Sequence, residues 1–300
     1  MNQEYKLSGE SGTIWIVGIA MGSILAVLLS IVYAYIDVYN PFLYLTLLVY
    51  IGYPFGIVLI QKLVIRVSKC RNLTSAYIYG ALVGLFALYA NWCTFLFVLL
   101  QRYEETVPLT DLMLNPGLVY EMASLISVDG WYELFGSSIS GWFLWLIWII
   151  EAIGVILAGV IGGPSVMHEE VFCEDCNRWV EDIEFDLRLS ATDESQITAS
   201  LNDDISLLTN LPVSDRMETP HLRVNLHHCS ECNNLSTADI DLMTLKQNDK
   251  GEIEEDHEDF SPVIILSKHQ YQKFLDKKEE PVGVMEVQEG EGQGPEHTEN

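Results

Sequence analysis

The chain has 300 residues, 49% of them hydrophobic, with 16 Lys and Arg against 42 Asp and Glu and a formal net charge of −26. Residues 1–162 carry six basic against ten acidic side chains, the remainder ten against 32, and all seven histidines also fall in that remainder. An acidic surface of this size repels phosphates and anionic headgroups, which argues against DNA or RNA as a partner.

Residues 1–12 form a short N-terminus whose one basic side chain is Lys6. Four stretches then reach the length of about 20 apolar residues that crosses a bilayer. They are 13–36, 41–65, 75–100 and 141–162. The first is long for a signal-peptide core and lacks a small-residue cleavage site, so it is expected to be a retained span. Lys62, Arg66, Lys69 and Arg71 cluster between the second and third stretches, while the first turn holds no basic residue and the long 101–140 loop holds only Arg102. By the positive-inside rule the basic loop faces the cytoplasm and 101–140 lies outside. Both termini are then expected inside, in a multi-pass protein of the cell membrane.

Each span carries small residues four apart: Gly18, Gly22, Ala26 and Ser30 in the first, Gly52 and Gly56 around Pro54 in the second. Ala76, Gly80 and Gly84 follow in the third, and Gly154, Ala158 and Gly162 in the fourth. In lipid, close backbone approach along such faces supplies packing, which predicts a compact bundle or a homo-oligomer. The alternative is that glycine is simply common in membrane helices.

Glu151 places a carboxylate well inside the fourth span. Nine residues from the outer boundary is about 13 Å at the helical rise, and Asn91 lies at the same depth in the third span. The predicted pair is Glu151 with Asn91, with Glu151 sharing the face of Gly154, Ala158 and Gly162. Either it fastens two helices as a protonated carboxyl, or it marks a proton or cation pathway. No second acid or histidine is expected within the spans. In the third loop, Asn115 and Pro116 open and Asp129-Gly130 closes a predicted amphipathic helix using Leu118, Met122, Leu125 and Ile126. Trp131, Tyr132 and Trp142 are expected as headgroup anchors.

Gly162-Gly163-Pro164 is expected to end the last span. Beyond it, 164–278 reads as a cytoplasmic zinc-binding domain and 279–300 as a disordered acidic tail. Cys173 and Cys176 form one doublet, Cys229 and Cys232 a second, with 52 residues between them. In a reducing cytosol disulfides are unfavourable, and two such doublets complete a tetrahedral site of the kind zinc prefers. A redox dithiol and unliganded thiols are the alternatives. Alternating Ile183, Phe185, Leu187 and Leu189, then Leu222, Val224 and Leu226, read as strands around an inserted helix closed by Pro212. A hairpin around Asn248–Gly251, a short strand and a last helix follow. His227 and His228 adjoin Cys229; on a strand they point to opposite faces, so at most one replaces a sulfur ligand. Cys70 reads as a loop thiol and Cys93 as packing. The sequons at Asn72 and Asn234 fall on the cytoplasmic side and should be unused.

The predicted fold is thus an α-helical membrane bundle of four transmembrane helices plus a small α+β, zinc-ribbon-like cytoplasmic domain. Four cysteines close a zinc shell and leave no open catalytic position, and no enzyme motif appears. The leading reading is a non-enzymatic membrane protein whose zinc module binds a protein partner or regulates the bundle. A small oligomeric channel or transporter component using Glu151 is the second reading. A membrane thiol oxidoreductase is the third.

Overall fold

The computed structural model describes residues 2–40, 43–134, 137–180, 185, 187–191, 194–214, 220–247 and 253–279. The predicted acidic tail beyond residue 279, the Asn248–Gly251 turn and Ile183 lie outside them. In chain order the elements are β1 (Gln3–Glu4), α1 (Trp15–Tyr39), α2 (Leu43–Ser68), α3 (Leu73–Arg102), α4 (Leu109–Leu114) and α5 (Pro116–Asp129). A hairpin of β2 (Tyr132–Leu134) and β3 (Ser137–Ile139) precedes α6 (Gly141–Glu169). Next come β4 (Phe172–Cys173), β5 (Arg178–Trp179), β6 (Leu187–Ser190), α7 (Glu194–Asn202) and a 3-10 turn at Ile205–Asn210. The chain continues through β7 (His221–His228), β8 (Ser236–Gln247), β9 (Ile253–Asp259), β10 (Ile264–Ile265) and α8 (Lys268–Lys278). Contacts divide it into two compact units, one of Lys6–Val180, the other of Met1–Tyr5 with Glu181–Asn300.

Among the described residues of the first unit, four helices are long and apolar enough to cross a membrane: Trp15–Tyr39, Leu48–Ser68, Leu73–Arg102 and Gly141–Glu169. Four such helices suggest a membrane protein. Helix α1 turns Gly18, Gly22, Ala26 and Ser30 inward and leaves Ile16, Ile24, Leu28 and Val32 exposed on its outer side. Helix α3 meets α6 backbone to backbone. A methyl group added at Gly80 would stand 2.2 Å from the Gly159 carbonyl oxygen, and one at Gly159 would stand 2.5 Å from that of Gly80. Gly56 receives Leu29 of α1, and Gly162 rests on the backbone of Val58 in α2. Two of the predicted small-face residues are elsewhere, since nothing lies within 4 Å of the position a side chain would take at Gly52 or Gly154. The buried row on α6 runs instead through Val155, Ala158, Gly159 and Gly162.

The expected stop at Gly162-Gly163-Pro164 does not occur. Pro164 sits inside α6, which continues to Glu169. Proline removes one backbone donor and crowds the preceding turn, but neighbouring helices stabilise such a turn in a membrane helix. Here Gly162, Gly163 and Pro164 are all buried, and a side chain at Gly162 or Gly163 would strike Val58, Gln61 or Ile65 of α2. Likewise α2 runs past residue 65 to Ser68 with Pro54 inside it, so Lys62 and Arg66 stand on helix rather than loop.

The helix predicted after Asn115 forms as α5, and Gly130 ends it at φ +87°. Asn115 does not cap it by its side chain; the amide reaches back to the Asp111 carbonyl at 2.8 Å and closes α4, a short helix the sequence did not signal. The inward face is Val119, Ala123 and Ser127, flanked by Leu118, Met122 and Ile126, while Leu125 is exposed. Trp131 packs edge-on against Phe95 rather than standing out as an anchor. Trp142 is 77% exposed, as an anchor would be. The side chain of Tyr132 lies outside the described residues.

The second unit is built on one sheet of order β1-β10-β8-β7-β6, with β9 also on β8. All its pairings are antiparallel, and Leu222, Val224 and Leu226 of β7 face Leu242, Ile240 and Ala238 of β8. The period-two alternation of aliphatic residues drives this register, because a one-residue slip would expose the whole set. Leu187 and Leu189 of β6, Ile205, Leu208 and Phe274 of α8 complete the core. Ser267 and Gln270 close a reciprocal capping box at the start of α8. Gln3 and Glu4 add a strand beside β10, and Asn2 bonds Ser200, Leu201 and Ile205.

Candidate metal centre

Each cysteine doublet sits in the same kind of turn. In the first, Cys173 ends β4, β5 returns antiparallel with Cys173 opposite Arg178, and Val180 N–H donates to Val171. In the second, Cys229 follows β7, its N–H donating to Leu235 at 2.9 Å. The residue after each doublet is asparagine, Asn177 at φ +49° and Asn233 at φ +54°. That left-handed conformation turns the chain so that two sulfurs three positions apart can converge, and asparagine adopts it more readily than most residues. Asn233 N–H closes its turn on the Cys229 carbonyl at 2.9 Å, and Asn234 N–H points at Cys232 Sγ at 3.5 Å. The shared Cys-x-x-Cys-Asn pattern is a signal that doublet spacing alone overlooks.

The four sulfurs of Cys173, Cys176, Cys229 and Cys232 all lie within 4.8 Å of one another. Cys173 and Cys229 are buried and the other two partly so. None of the six cysteines forms a disulfide. Sulfurs about 2.3 Å from a tetrahedral ion stand about 3.8 Å apart, so small side-chain adjustments complete such a shell. The four cysteines are therefore able to bind a metal ion.

The two neighbouring histidines are engaged elsewhere. His227 Nε2 lies 3.0 Å from Asp239, and His228 lies 2.9 Å from both Ser236 and Asn233 while stacking on Tyr271. His228 thus braces the asparagine of the second turn, a supporting role its sequence position did not announce.

The basic cluster is drawn toward acids near the first doublet. Lys62 meets Glu169 at 2.8 Å, and Arg66 pairs with Glu170. Arg71, only 5% exposed, pairs with Glu10 and Glu174, and its guanidinium lies 4.2 Å from the Phe172 ring centroid. Lys69 turns the α2–α3 link at φ +53°. Asn72 caps α3 through Ser75 and donates to the Gly9 carbonyl. Cys70, expected as a loop thiol, is fully buried among Ile65, Ala76, Tyr79 and Val166, and burial raises its thiol pKa. Cys93 packs in the core as expected.

Glu151 takes a different partner from the one predicted. Tyr33 Oη donates to its carboxylate at 2.9 Å, and no hydrogen bond joins it to Asn91 among the described residues. Tyrosine is long enough to reach from α1, which depth matching between short polar residues overlooked. Both Asn91 and Glu151 nonetheless line one cavity, together with Tyr33, Tyr50 and Asp37. Asp37 corrects the expectation of a single acid: it lies one residue beyond the predicted first span, but α1 extends to Tyr39 and carries it into the same cavity.

No family model, curated protein or solved structure matches the chain.

Proposed function

We propose that the four cysteines hold one structural zinc ion, and that the resulting module binds a protein partner or regulates the membrane helices of a non-enzymatic protein. The convergence of four sulfurs from two like turns carries this reading. Thiolates select zinc among common cellular divalent ions, and a four-sulfur shell leaves no position for substrate or activated water. The zinc-ribbon likeness, the cell membrane and the cytoplasmic side of the module belong to the same proposal, the last resting on Lys62, Arg66, Lys69 and Arg71. The expected surroundings are a lipid bilayer and a protein partner or a second copy, with no nucleic acid.

Metal analysis of the full-length protein in detergent tests the reading. About one zinc per chain is expected, lost in Cys173→Ser and in Cys229→Ser alike. A metal-free, folded protein whose thiols titrate as a dithiol at cytosolic potentials would instead support the thiol oxidoreductase. A channel or transporter component is the second reading, favoured by the cavity at Glu151. Flux in proteoliposomes that Glu151→Gln abolishes without unfolding the protein would establish it.

A further inference from the structure

We propose that the cavity among α1, α2, α3 and α6 binds one hard cation of calcium size, held by the carboxylates of Asp37 and Glu151 and the amide oxygen of Asn91. The inference is independent of the cysteine centre, whose soft thiolates disfavour such an ion.

Charge is the first reason. Two carboxylates line one small cavity, and no Lys, Arg or His is among its lining residues. Their partners are neutral: Tyr33 donates to Glu151 and the Trp131 side chain to Asp37. Arg102, eleven residues after Asn91, binds the Val38 carbonyl and lies over Tyr39 instead. Like charges brought together away from water demand protons or a counter-ion.

Asn91 supplies an independent reason. Its side chain is 6% exposed and its Oδ1 has no hydrogen-bond partner in the protein, although it lines the cavity. A buried carbonyl oxygen left unmatched costs about 1–3 kcal/mol. The cavity therefore gathers acceptors from three helices with few donors between them. A water molecule brings two protons to such a place, whereas a cation satisfies every oxygen at once.

Size narrows the occupant. The cavity measures about 20 Å³. A single water needs about 10–15 Å³ of such space, so one dehydrated ion fits and an organic substrate does not. Magnesium keeps several waters and needs a roomier site, while calcium accepts irregular oxygen shells. A divalent charge also matches the two carboxylates. Asp37 and Glu151 supply up to four oxygens, Asn91 a fifth, and the Tyr33 and Tyr50 hydroxyls are on the same wall.

Trp92 and Trp148 line the cavity, their rings 4.8 Å apart, and provide a built-in reporter. The full-length protein in detergent would be titrated with CaCl2 at constant ionic strength, following tryptophan fluorescence and thermal melting. A saturable fluorescence change with a midpoint of roughly 1 mM or below is expected, with a parallel rise in melting temperature. In Asp37→Asn/Glu151→Gln, which preserves side-chain shape, the midpoint should move by about tenfold or more. Single Glu151→Gln, should the double variant not fold, should move it in the same direction. Absence of a saturable response in the wild type, an unchanged midpoint in the folded carboxylate variants, or an equal response to NaCl would each overturn the proposal.

Discussion

In the helical unit helices meet backbone to backbone where side chains are missing, and in the sheet unit large side chains fill the core. Gly80 and Gly159 bring α3 and α6 into backbone contact, while Leu222, Leu187 and Phe274 fill the interior of the sheet unit and are almost fully enclosed. The difference follows from the solvent. Lipid tails reward apolar burial hardly at all, so helices in a membrane gain from dispersion contacts at short range. In water the area removed from solvent dominates, at roughly 25 cal/mol per Å². The units also treat polar groups differently. Asp204 has donors from Ser206 and Gln270, whereas both amide atoms of Gln61 in α2 are buried without a partner.

The largest effect should come from the sheet unit. Phe274→Ala is expected to cost about 4 kcal/mol in denaturant unfolding of the full chain, because it deletes a fully buried ring. A cost near zero would mean that the core of this unit is not maintained by large side chains. Gly80→Ala is the counterpart in the helices: its new methyl group meets backbone, which cannot rotate away, so about 2 kcal/mol should be lost in detergent-based unfolding. If Gly80→Ala were neutral, the α3–α6 contact would not depend on missing side chains.

Two smaller changes of opposite sign sharpen the polar contrast. Asp204→Ala should cost about 1 kcal/mol at neutral pH, as loss of a helix cap does. Hydrogen bonds from Gln270 first, and then from Ser206, hold the Asp204 carboxyl below the usual range. A folded-state value below the unfolded one means that the contribution is present above about pH 4 and fades as pH falls through the folded value. Wild type and variant should therefore converge in acid; a constant difference across the pH range would show that the charge is irrelevant. Gln61→Leu removes two unmatched buried atoms at similar volume and should stabilise by about 1 kcal/mol. Loss of stability there would reveal a partner for Gln61. The smallest effect is expected at Gly154→Ala, within about 0.5 kcal/mol of wild type, since the added methyl group meets nothing within 4 Å.

The same residues show what was legible beforehand. Gly18, Gly22, Ala26 and Ser30 were readable as an inward face because four-residue spacing tracks a helix over a few turns. On α6 the same rule selected Gly154, which misses every neighbour, and passed over Gly159, because 3.6 residues per turn drifts away from a strict four. The cysteines were legible because their chemistry demands company, whatever the intervening chain does. Asp37 was lost to a span boundary set one residue too early, since hydropathy weighs a carboxylate against the edge regardless of what it faces. The Tyr33–Glu151 bond needed side-chain reach as well as depth. Gln3 and Glu4 joined the sheet through backbone hydrogen bonds, which leave no trace in so short a segment.

The continuation of α6 through Pro164 also bears on bilayer thickness. With 29 residues α6 is about 43 Å long, and the 30 residues of α3 reach about 45 Å. A hydrocarbon core of about 30 Å leaves over 10 Å of each rod to be absorbed by tilt or to stand in the headgroup layer. The terminal turn of α6 is suited to the second course, since Glu169 and the adjoining Glu170 are neutralised by Lys62 and Arg66 from α2. Such a collar of paired charges can sit at a range of depths without exposing a lone ion to lipid. The helices should accordingly keep their packing in thin and thick membranes alike, changing their immersion rather than their shape.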